Sequence, residues 1–159
     1  MAKRSHYRVA DPLLSFWYRF VEPNRSRLAA GALDAVATEV WRDFPTHLGQ
    51  QWEALARWRV PLAPIGGATF GPAARWWGTG LDGSRFELDV VAECADGRVL
   101  VGEAKLAVAR REVDPLLERL VGMARQCPPI AGREVVPVLF AMQGPEHPAV
   151  LGPSAMLEG

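Results

Sequence analysis

Apolar positions follow a helical period through the first third of the chain and a strand-like pattern after it, apart from one late helix. Leu13, Leu14, Phe16, Trp17, Phe20 and Val21 form a broad apolar face. Asp11-Pro12 supplies a helix start, with aspartate as cap and proline in the first turn, and Pro23-Asn24 ends the run. The spacing predicts a second, Ala-rich helix over residues 26–37, interrupted by Gly31, and a third over 43–58. In the third, Phe44, Leu48, Trp52, Leu55 and Ala56 share one side, while Gln50, Gln51, Glu53 and Arg57 lie on the polar side. Residues 60–72 are rich in Gly and Pro and read as a connector. Within them Gly66-Gly67-Ala68-Thr69-Phe70-Gly71 lacks the Lys-Ser/Thr that a phosphate loop needs.

Beyond the connector, Arg75-Trp76-Trp77-Gly78 reads as a strand and Leu81-Asp82-Gly83-Ser84 as a turn. Two strands follow, 86–93 and 98–106, joined by Ala95-Asp96-Gly97. Val113, Leu116, Leu117, Leu120, Val121 and Ala124 then mark an amphipathic helix over 112–126, starting near Asp114-Pro115. Residues 134–142 form a buried-type strand, apolar after Glu134, and the Pro- and Gly-containing segment from Gln143 reads as a loose tail. The order predicts an α/β fold in which helix, three strands, helix and strand build a mixed central sheet. The last strand follows a crossover helix, so it should run parallel to strand 98–106. The organisation expected is an N-terminal helical extension (1–40), a core (41–145) and the tail (146–159).

Composition narrows the function classes without choosing one. With 159 residues and 49% hydrophobic content, the chain can bury a core. Eighteen basic against eighteen acidic residues leave no global field to draw it onto a polyanion. Cys94 and Cys127 match no metal-ligand spacing and read as reduced thiols of a cytoplasmic protein, and no apolar run is long enough to cross a membrane. His6, His47 and His147 are scattered and read as surface or loop residues; Trp76 and Trp77 read as core and edge. All the basic residues are arginine except Lys3 and Lys105. A compact ammonium whose pKa shifts readily is unlike a planar guanidinium, which marks Lys105 for chemistry.

Lys105 lies in Gly102-Glu103-Ala104-Lys105, one strand away from Glu87-Leu88-Asp89-Val90-Val91. Residues two apart on a strand share a face, so Glu103 pairs with Lys105, and Glu87 with Asp89. A two-residue turn on Asp96-Gly97 would put Asp89 opposite Ala104. A three-residue loop with Gly97 left-handed puts it opposite Glu103, and this is the register expected. Asp89 and Glu103 could then hold Mg²⁺ or Mn²⁺, joined by Glu53 from the long helix, with Lys105 orienting water and stabilising charge on a phosphate. The competing reading is the solvated face of a half-exposed sheet with a cross-strand ion pair. Aspartate is a poor strand former, and Asp89 between Leu88 and Val90 weighs against that reading.

The run Tyr7-Arg8-Val9-Ala10-Asp11-Pro12-Leu13-Leu14-Ser15-Phe16-Trp17-Tyr18-Arg19-Phe20-Val21 resembles the start of the uncharacterised domain found C-terminal to archaeal-type AAA ATPases. Trp52-Glu53, Trp76-Trp77, the Glu87–Val91 segment and Gly102-Glu103-Ala104-Lys105 are similar to its later motifs in order, so the resemblance covers about residues 7–141. It implies membership of the PD-(D/E)XK restriction-endonuclease-like superfamily. It also implies a metal-dependent nuclease site at Glu53, Asp89, Glu103 and Lys105, with DNA as substrate. Related chains carry an ATPase module and a winged-helix segment before this domain. This sequence has no Walker A motif, and it reads as a truncated or stand-alone form. A homodimer would supply the two sites that cutting both strands needs. The alternative is a non-catalytic module that docks a protein or DNA and retains a relic site.

Overall fold

A computed structural model describes residues 9–157, with side chains through Met156; His6 lies outside the described residues. The described residues form two compact units, divided between Gln51 and Trp52.

The first unit is helical. Asp11 caps α1 (Pro12–Phe16), accepting the Leu14 N–H at 2.9 Å. The path does not stop at Pro23-Asn24, as its composition predicts. It passes through a π-helical turn (Trp17–Val21) and a 3₁₀ turn (Glu22–Asn24) into α2 (Arg25–Ala29). Pro23 lies in the first turn of that 3₁₀ segment, where a missing N–H costs little. The helix expected over 26–37 is cut at Gly31. With φ of +80°, Gly31 donates to the Leu28 carbonyl while Ala32 donates to that of Arg27, a Schellman termination. Residues after the break belong to α3, which runs from Leu33 to Arg59 and carries Pro45 inside it. Proline is disfavoured inside a helix, yet α3 begins ten residues before the start expected at residue 43.

His47 is not a surface residue. It is 4% exposed, with its ring 5.5 Å from that of Phe20 and about 6 Å from those of Phe16 and Phe44. Its Nδ1 has no hydrogen-bond partner among the described residues. Burial, and secondarily Arg19, push its pKa down, so the imidazole is neutral in this aromatic setting.

The second unit holds a five-stranded mixed sheet in the order β1-β2-β3-β4-β5. These are Ala74–Thr79, Arg85–Glu93, Val99–Ala107, Val135–Gln143 and Val150–Leu151. The first three strands are antiparallel; β4 runs parallel to β3, with the crossover through α4 (Val113–Gln126). That is the helix, three strands, helix and strand order of the α/β reading. Apolar side chains cover both faces of the sheet. Trp52, Ala56 and Val60, from the last turns of α3 and just beyond, pack with Val90, Ala92, Leu100, Val138 and Phe140. On the other face α4 packs Val113, Leu120 and Ala124 against Leu88, Val99, Val101, Leu139 and Ala141. Burying each Val, Leu or Phe among these is worth about 1.5–3 kcal/mol. The Trp52 indole N–H also donates to the Phe140 carbonyl at 2.7 Å, which pins the end of α3 to β4.

The segment after Gln143 is not a loose tail. It adds β5, parallel to β4, and α5 (Pro153–Leu157), whose Met156 is buried in the α3-side core. Two residues of strand and five of helix are too short to leave a readable period. Among the described residues, no helix is long and apolar enough to cross a membrane.

Candidate functional site

The site is built where β2 and β3 separate. The connection between them is the three-residue loop: Cys94 donates to the Arg98 carbonyl, Gly97 donates to that of Cys94, and Gly97 has φ of +96°. Only glycine takes that conformation without strain, and it locks the register in which Glu93 faces Val99 and Val90 faces Gly102. Continued by one residue, this places Asp89 opposite Glu103, as expected. There the ladder stops. β2 goes on with β1 to Arg85, and β3 goes on with β4 to Ala107, so a fork opens between them.

Asp89 occupies the crotch of this fork. Its Oδ2 accepts the Ala104 N–H at 3.1 Å, a donor that β2 no longer meets with its backbone. On its other edge, β2 carries a bulge: Trp76 faces Leu88 and Ala74 faces Val91, so Arg75 alone opposes Asp89 and Val90. The bulge exchanges the faces of the strand. Phe86 and Leu88 before it pack on the α4 side, while Val90 and Ala92 after it pack on the α3 side. Strict alternation would not have produced this. Glu87 pairs with Arg75 of β1.

On β3, Glu103 and Lys105 do share a face, Nζ lying 2.8 Å from Oε1. The other oxygen of Glu103 accepts from Arg119 of α4. Glu103 is 15% exposed. Burial raises its pKa, but the hydrogen bonds from Arg119 and Lys105 outweigh that, and the net shift is downward: Glu103 is held as a carboxylate. Asp89 is shifted the opposite way. Burial is the main cause, the nearby Glu103 and Glu87 charges add to it, and the Ala104 N–H opposes them. Two neighbouring carboxyls thus have their pKa values driven apart, a common property of functional sites.

Glu53 comes from the last turns of α3. It lies 3.8 Å from Arg57, which donates to the Asp89 carbonyl at 2.8 Å. Glu53, Glu87, Asp89, Glu103 and Arg119 line one cleft of about 410 Å³. The fork therefore brings together the residues singled out from sequence, with Lys105 held at its rim by Glu103. Arg119, Arg57 and Arg75 are additions. Arg119 had one faint signal, a cation beside the apolar stripe of the helix that must cover β3. Arg57 was visible only as a polar-face residue.

Oxygen donors of this kind suit a hard divalent cation. Among the described residues no group of three or more His, Cys, Asp or Glu is gathered tightly enough to hold a metal on its own. Mg²⁺ commonly keeps several waters and takes only one or two carboxylates. The raised pKa of Asp89 fits a place for added positive charge, and Asp89 with Glu103 would supply the protein ligands.

Fold and fork together define an α/β domain with a charged cleft where two central strands part. The chain belongs to the family DUF234, described as archaeal and bacterial proteins of unknown function, whose model matches residues 17–115. No curated protein and no solved structure matches it.

Proposed function

We propose that the chain is a divalent-metal-dependent nuclease domain that hydrolyses DNA phosphodiester bonds. The observation that carries this reading is Asp89, Glu103 and Lys105 at one fork, with the two carboxyls shifted in opposite directions. Bound Mg²⁺ or Mn²⁺ would polarise a phosphoryl oxygen and lower the pKa of its water. Asp89 and Glu103 would hold it, and Glu53, which lines the same cleft, would support it directly or through water. Lys105 sits beside Glu103, where its ammonium holds the attacking water and offsets charge on the phosphate oxygens. The attacking water gives up a proton as its oxygen bonds to phosphorus, the bond to one sugar oxygen breaks, and that oxygen takes up a proton, so one water is added across the P–O bond. The resemblance to PD-(D/E)XK nucleases and to the C-terminal domain of AAA ATPases supports this, and an ATPase with a winged-helix module is the natural partner for target choice. A homodimer would let both strands be cut.

A second reading is favoured by one observation. Glu103 already has two cations on it, Lys105 and Arg119, which is how a relic site in a non-catalytic protein- or DNA-binding module would be neutralised. Plasmid nicking by the full chain with and without Mg²⁺ separates the two. The nuclease reading expects metal-dependent nicking that Asp89→Ala abolishes and Lys105→Ala lowers by about 10²–10³-fold, with circular dichroism unchanged. No nicking by the wild-type chain, or nicking that survives both substitutions, would overturn it.

A further inference from the structure

Two cations hold Glu103, and they hold it differently. Lys105 lies two residues along β3 on the same face, with its Nζ on Oε1. It lines a neighbouring cleft with Arg111, Pro115 and Leu116. Arg119 reaches Oε2 from α4. Of the two, Arg119 is the one that lines the cleft with Asp89 and Glu103. The Glu103 oxygen that a metal beside Asp89 would use is therefore the one under the guanidinium.

The two partners of that pair also differ in freedom. Glu103 is fixed by the ladder of β3 with β4, where it faces Leu139. Arg119 springs from a helix whose next residue, Leu120, is buried in the core, yet its own side chain is 51% exposed. Its base is fixed while its charged end meets solvent. A half-exposed ion pair of this kind is weak and screened by salt. A divalent cation brings twice the charge to the same carboxylate, and Asp89 offers it a second carboxyl in the cleft. The guanidinium cannot yield by losing a proton, so it must leave as a cation. Once displaced, its planar fork matches two oxygens of a phosphate.

We propose that Arg119 is a displaceable counter-ion. It covers Glu103 in the metal-free chain, gives up that oxygen when a divalent cation binds, and then takes hold of a phosphate of the substrate. This rests on the nuclease reading and adds a control to it. Metal and guanidinium compete for one carboxylate, so Arg119 sets the metal concentration at which the site fills. The doubled cations on Glu103 thereby have a role other than neutralising a relic.

The test is calorimetric titration of Mn²⁺ into the full wild-type chain, Arg119→Met, Arg119→Lys and Arg111→Met, without nucleic acid and with folding checked by circular dichroism. Arg119→Met should bind the metal about three- to ten-fold more tightly than wild type. Arg119→Lys should stay near wild type, and so should Arg111→Met, whose cation lies in the neighbouring cleft. Equal or weaker binding by Arg119→Met overturns the counter-ion, because a purely structural arginine gives that result. An equal gain in Arg111→Met overturns it too, as a general effect of charge. Plasmid nicking at saturating Mn²⁺ reads the second half: Arg119→Met should raise KM about ten-fold, and an unchanged KM overturns the phosphate contact. The nuclease reading fails separately. Metal bound equally with and without Arg119, and lost in Asp89→Asn, sinks the counter-ion and leaves that reading standing. No heat in any chain, even with the competing guanidinium removed, sinks both.

Discussion

The β2–β3 hairpin is two structures on one pair of strands. From Val90–Glu93 against Val99–Gly102 the ladder is closed, and each of its four rungs carries at least one buried apolar side chain. From Asp89 and Glu103 outward the strands part, and charged side chains line the cleft between them. The closed half holds the sheet together. The open half depends on it, because the register that brings Asp89 to Glu103 is set at the far end, by Gly97. A site made this way can carry groups that destabilise the fold, since the rest of the hairpin offsets them.

The contrast is easiest to break from the closed side. Phe140 is fully buried, and its ring lies where a Cβ on Gly102 would meet it at 2.6 Å. Phe140→Ala should cost about 3–5 kcal/mol in urea unfolding. Gly97→Ala puts a Cβ on a residue at φ of +96° and should cost about 1–2 kcal/mol. It should also weaken metal binding, since the loop sets the register of the fork.

Smaller effects from the open side sharpen the comparison, because the two carboxyls have opposite linkage. Glu103 has a lowered pKa, so it contributes stability above its unfolded pKa, and this is lost as pH falls through its folded value. Glu103→Gln should therefore cost about 1 kcal/mol or less at pH 7, and less in acid. Asp89 has a raised pKa, so the folded chain binds the extra proton. Its contribution is greatest at low pH and declines as pH rises from the ordinary carboxylate range through the raised value. Asp89→Asn should leave the chain slightly more stable at pH 7, read as a small rise in Tm, and should remove that decline. A loss of stability at pH 7 in both variants would mean that the fork is an ordinary ion-pair network.

Much of this was legible in residue order. The Asp11 cap, the left-handed Gly97 with its register, and the parallel crossover into β4 all have local chemistry that admits few alternatives. What was not legible depends on contacts between distant residues, or on signals with two meanings. Pro45, a residue usually confined to a first turn, lies inside α3. The bulge opposite Arg75 follows from pairing with β1, and no residue of β2 announces it. Arg119 is one of sixteen arginines until α4 lies on β3. His47 is buried by rings from residues on both sides of the Gly31 break, which no spacing of histidines could reveal.

The most direct test of the fork as a metal site is calorimetric titration of Mn²⁺ into the wild-type chain and Asp89→Asn, with folding of both checked by circular dichroism. A saturable heat in the wild type at or below millimolar metal, absent in Asp89→Asn, is the predicted result. The same heat in both, or none in either, would contradict the account and leave Asp89 as the side chain that closes the crotch of the fork.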